Sequence, residues 1–186
     1  MPGTLSSPEI LAPDPAPPAR LGDWPLPRFR YVPGRQPHPL RHPDGHAVDT
    51  PPAYRDAGPW VLLHRGMDLF DHRYWWESHE VWEQAWRAVP RDGAASALLQ
   101  GLIQVAASLL QRHRGAADQG DRLHRRALRW LEAAEARGGS SVLGVDLPAL
   151  RARVALAWDA AEPVALTGLD QDRGENSEIW ALDRER

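Results

Sequence analysis

Proline placement constrains this chain more than any other feature: 14 of its 18 prolines fall before residue 58, at a density that excludes helices and central strands alike. The other four, Pro59, Pro90, Pro148 and Pro163, stand where a helix can begin or end. Residues 1–20 are therefore expected to be a flexible leader. From 21 to 57 the prolines persist, but Trp24, Phe29, Tyr31 and Val32 are unfavourable to leave in water, so this part reads as an extended strap packed on a core. Residues 58–162 form the expected helical domain. The stretch 163–186 reads as an acidic, irregular tail from which Ile179 and Trp180 could dock back.

Inside the helical region, apolar spacing and breakers predict helices over residues 60–70, 74–87, 94–114, 118–136 and 147–160. The turn at 71–73 is so brief that the first two must pack antiparallel. Gly138 and Gly139 stop the fourth helix, while Asp146 caps the fifth with Pro148 in its first turn. The expected fold class is all-α, a compact bundle of about five helices with a Pro-rich extended N-terminal strap.

Composition narrows the chemistry. The chain has no cysteine, which excludes disulfide frameworks, thiolate nucleophiles and sulfur-based metal sites, and a cytoplasmic address is expected. All 22 cationic residues are Arg, the formal charge is −3, and nucleic acid is disfavoured as a partner. The opening residues lack the basic start and apolar run of an export signal. The most apolar stretch, 94–110, falls short of a bilayer span and is interrupted by Gln100 and Gln104, so it reads as a buried core helix with no membrane contact.

The second helix carries the most informative pattern, YWWESHEVWEQAW. At about 100° per residue, Trp75, Trp82 and Trp86 share one face that must be buried. His79 lies within about 40° of that stripe and Glu83 within about 80°. Glu77 and Gln84 are expected to point into water, with Glu80 between. A His and a Glu at i and i+4 can share a proton or grip one cation, and a carboxylate drawn towards a core demands a charge, a donor or a metal. The HExxE arrangement is related to the zinc-binding HExxH helix, with Glu83 in place of the second His. The alternative is structural: His79 and Glu83 bond each other and fix helix register.

Further groups can complete a site. On the third helix Gln100, Gln104, Ser108 and Gln111 form one narrow polar stripe, which faces either solvent or the His79/Glu83 pair. The strap histidines His38, His42 and His46 are weaker metal candidates, because prolines deny them a helical face and backbone hydrogen bonding is their ordinary role. On the fourth helix Arg122, Arg125, Arg126 and Arg129 form an outward arc that can hold phosphate or carboxylate, or is simply solvated, while His124 borders the inward face as a core residue.

From Gly66 to Leu131 the segments GMDLFDHRYWWESHEVWEQAWR, LLQGLIQVAASLLQRHRG and RLHRRALRWL resemble the domain of unknown function 309 family. Phe70, Tyr74, His79, Glu80, Glu83, Trp86, Gln100, Gly101, Leu102 and Gln104 carry the resemblance in order. It implies a compact helical fold and no particular reaction. After the third helix the chain departs from the pattern, reading Gly115-Ala116 and Gly120-Asp121 in place of Gly-Asn and Gly-Ala pairs.

The resulting expectation is a metal- or small-molecule-binding protein with hydrolase-like potential at a His79/Glu83 pocket. There His79 and Glu83 hold a divalent metal ion or a proton, Glu80 is an outer acid or base, and Gln100, Gln104 and Trp86 orient an unidentified small molecule. The alternative is a non-catalytic interaction module, such as a homodimer, that uses exposed surface from the nine Trp.

Overall fold

The computed structural model describes residues 9–18, 20–21, 24–47, 57–159 and 165–169. Five α-helices build the core: α1 (Pro59–Asp71), α2 (Trp75–Arg87), α3 (Ala94–His113), α4 (Ala117–Gly138) and α5 (Leu147–Asp159). The all-α reading holds. A two-stranded hairpin, β1 (Ser141–Val142) and β2 (Val145–Asp146), is the one addition to the expected elements. Its two-residue turn places Leu143 at φ 51° and Gly144 at φ 78°, the doubly positive pair that a primed hairpin turn requires. Asp146 accepts the Ala149 N–H at 2.9 Å and so caps α5 as its position implies.

The Trp stripe of α2 is the hinge of the packing. Trp82 is fully buried, donates its indole N–H to Leu63 O at 3.0 Å, and lies against Phe70, so α1 and α2 close as a hairpin. A side chain at Gly66 would put its Cβ 2.1 Å from Trp82 Nε1, which explains the absence of one. On the other side, Trp86 donates to Ser96 Oγ at 2.9 Å and joins α2 to α3. α3 and α4 make the most extensive helix pair, pressed together where Gly101 faces Leu131.

α3 is long and apolar enough to cross a membrane by length and composition, more so than its glutamines suggested. Yet 67% of its most apolar window is buried inside the protein, as befits a core helix.

α1 is buried around most of its circumference, with His64, Arg65, Asp68 and Asp71 inside along with Leu62, Leu63, Met67 and Phe70. The strap explains this. A Pro-rich extended segment has backbone carbonyls and N–H groups that no ladder satisfies, and buried backbone groups need partners. Arg65 donates to Trp24 O and Pro25 O, Tyr74 donates to Pro27 O, and Arg30 donates to His72 O. Asp68 accepts the N–H groups of Arg20 and Leu21. Asp71 accepts the Leu166 N–H, the Thr167 hydroxyl and the Arg20 guanidinium. Chain on both sides of the bundle thus converges on one helix turn. Ile10, within the segment expected to be a flexible leader, is buried in the core. Ile179 and Trp180 lie outside the described residues.

Candidate functional site

The HExxE residues sit at the rim of the Trp face, as helical arithmetic places them. His79 is 26% exposed and Glu83 31%, with His79 Nε2 3.7 Å from Glu83 Oε1 and His79 Nδ1 3.4 Å from Glu80 Oε1. Glu80 is more open, at 38%. The charge that Glu83 demands comes from its own helix: Arg87 donates to Glu83 Oε2 at 2.5 Å. His79 Nδ1 remains buried without a hydrogen bond. Among the described residues, no three His, Asp or Glu side chains gather closely enough to hold a metal ion.

The expected position of Glu77 is corrected. It is only 4% exposed, accepts the Tyr31 N–H at 3.0 Å, and lies 3.6 Å from Nε2 of His46, itself 7% exposed. The strap, which a helical wheel cannot see, covers that face of α2. Burial pushes the Glu77 carboxyl up to about 8, against the lowering effect of backbone hydrogen bonds and Arg30. Burial, helped by Arg28, lowers His46 to about 4. An ion pair would move both in the opposite directions, so burial outweighs mutual attraction between these two groups. Glu77 Oε2 and His46 Nδ1 have no hydrogen-bond partner.

Two of the strap histidines, His38 and His46, therefore approach α2, but away from the HExxE rim. Glu77 and His79 are about 160° apart around the helix, so His46 closes on Glu77 and not on His79 or Glu83. His38 packs edge-on to Trp76 beside Tyr31, and its Nδ1 accepts the Leu40 N–H. His42 Nδ1 accepts the Asp44 N–H on the surface. Both fill the ordinary backbone-bonding role.

Gln100 and Gln104 do not meet the HExxE pair as a closed site. They line a shallow groove of about 490 Å³ with Arg126, Arg129, Trp130 and Ala133 of α4. Gln104 Oε1 is buried without a hydrogen bond. Two members of the arginine arc thus face a groove, a juxtaposition that only the α3–α4 crossing creates. The other two, Arg122 and Arg125, are exposed outside it. His124 stacks on Trp158 at 4.4 Å and is buried, the core role expected of it.

The Trp side chains expected to present exposed surface are partly covered. None of the eight Trp among the described residues is fully exposed: Trp76 lies under Tyr31 and His38, and Trp60 stacks on His64. The strap covers part of Trp76, while Trp130 keeps surface that lines the groove.

No curated protein matches the chain. The family model described as Domain of unknown function (DUF309) does match, over residues 63–123, which run from α1 through α2 and α3 into α4 and hold the HExxE helix and both glutamines. The match spans 61 of the 186 residues and coincides with the aromatic and QGLIQ-type segments whose order resembles that family.

Proposed function

We propose that the protein binds a small molecule in the groove between α3 and α4, with Gln100 and Gln104 supplying amide hydrogen bonds and Trp130 an apolar wall. The observation that carries this reading is a groove of about 490 Å³ lined by two carboxamides and an indole, one of whose glutamines, Gln104, has a buried Oε1 with no hydrogen bond. That volume falls within the roughly 300–1,000 Å³ of small-molecule sites. A buried acceptor without a donor is unfavourable by about 1–3 kcal/mol, and a turn of the Gln104 amide towards a ligand N–H or O–H in the groove removes the deficit. Gln104→Leu tests the reading without knowledge of the ligand. The substitution should stabilise the free protein by about 1 kcal/mol in urea unfolding, because the deficit disappears with the amide. Destabilisation instead means the amide serves the fold, and the reading fails.

A second reading, a divalent cation or a proton held between His79 and Glu83 with Glu80 as an outer acid or base, is favoured by the 3.7 Å between His79 Nε2 and Glu83 Oε1 and by His79 Nδ1, which makes no hydrogen bond. Zinc titration followed by the His79 ring signals in NMR decides it. A saturable shift that Glu83→Gln weakens supports the site, and no shift at equimolar zinc removes it.

A further inference from the structure

Arg126 and Arg129 stand one turn apart on α4 and both line the groove. Neither makes an ion pair or a hydrogen bond among the described residues, in a chain with 25 acidic side chains to choose from. Asp121 and Glu132 lie one turn from Arg125 and Arg129 on the same helix, yet neither closes a pair. Two forked donors without a counter-charge among the described residues, sharing the groove with an indole and two carboxamides, form a graded surface. One end suits a doubly charged oxyanion, and the other a flat body with its own donors and acceptors.

We infer that the ligand class of this groove is a phosphomonoester carried on a planar, hydrogen-bonding body, with Arg126 and Arg129 on the phosphate, Trp130 against the plane, and Gln100 and Gln104 on its polar edge. The inference rests on the small-molecule reading above and adds the charge. A phosphomonoester carries about −1.5 to −2 at neutral pH, which answers two guanidinium groups, whereas a lone carboxylate answers one. Arg122 and Arg125 belong to the same arc but lie outside the groove, so they distinguish a defined site from a diffuse basic surface.

The test follows the Trp130 indole N–H signal, assigned by its loss in Trp130→Phe, as ¹⁵N-labelled full-length protein is titrated with phenyl phosphate, inorganic phosphate, benzamide and a single-stranded oligonucleotide. Phenyl phosphate should bind saturably and more tightly than inorganic phosphate or benzamide. Arg126→Gln and Arg129→Gln should each weaken phenyl phosphate about tenfold or more, the scale of one charge-assisted contact. Arg122→Gln and Arg125→Gln should change it by less than about twofold, as screened charges do. All four positions are exposed, so the fold tolerates the exchanges. If benzamide shifts Trp130 and phenyl phosphate binds no better, the small-molecule reading stands and the phosphate inference falls. If no small probe shifts Trp130, both fall. Equal losses in all four variants, with the oligonucleotide bound most tightly, replace the defined site by a polyanion surface.

Discussion

Replacing Glu77 by Gln should remove an alkaline loss of stability that the wild-type protein owes to this one carboxyl. The folded-state pKa of Glu77 is about 8, raised from 4.5 by burial beneath the strap. Its stabilising contribution is therefore complete below pH 4.5 and is lost as pH rises through about 8. His46 has the opposite sense: its folded value is about 4 against 6.5, so its contribution is complete above 6.5 and is lost as pH falls through about 4. Between pH 4.5 and 6.5 the unfolded pair holds one proton, on the imidazole, and the folded pair also holds one, on the acid. Equal proton counts give no slope, so this pair contributes a plateau there. Above pH 6.5 the unfolded pair has released its proton while the folded pair keeps it to about pH 8. Stability should then fall by about 1.4 kcal/mol per pH unit, or about 2 kcal/mol across the interval. Only the number of bound protons enters, so the outcome is the same whichever partner carries the shared one. The assay is urea unfolding followed by Trp fluorescence, in half-unit pH steps, on the wild type and Glu77→Gln. Gln keeps the shape of the neutral acid and can still accept the Tyr31 N–H, and titrations elsewhere cancel in the difference. Wild-type and variant curves that run parallel from pH 6.5 to 8 refute the argument.

Other substitutions probe the packing that places these groups. Asp71→Ala strands the Leu166 N–H and one arm of Arg20, and should destabilise by about 3–5 kcal/mol, the scale of breaking a buried pair. Amide exchange at Leu166 should accelerate in parallel. Gly66→Ala drives a Cβ into the Trp82 indole, so overpacking of about 1–3 kcal/mol should outweigh the gain in helix propensity. The Trp82 indole N–H resonance should move in the same variant. Gly101→Ala drives a Cβ to 2.5 Å from Leu131 Cδ2 and 2.8 Å from its Cγ, so it should also destabilise, by less than Gly66→Ala because a Leu side chain can shift where an indole ring cannot. Arg87→Ala should change stability by less than about 0.5 kcal/mol, because its pair with Glu83 is a solvent-exposed i,i+4 contact.

Much of the architecture was legible in the residues. Helix limits followed from proline and glycine placement because those residues act on their own backbone, whatever surrounds them. The buried Trp82 and the rim position of His79 followed from a period of 3.6, which is a property of one helix. The same arithmetic failed at Glu77 and at Trp76. Both lie on a face that the strap covers, and no local pattern records what a segment some 40 residues away will lie against. The buried acids of α1 were hidden for the same reason, since their partners are backbone groups of distant, proline-rich chain. The groove belongs to this second class. Gln104 and Arg126 are each readable as polar positions on their own helices, but their shared cavity exists only because Gly101 lets α3 and α4 approach closely enough to bring the two stripes together. Periodicity and punctuation are one-dimensional and so survive in the sequence, whereas burial of charge and convergence of side chains depend on long-range contact, which only the tertiary structure decides.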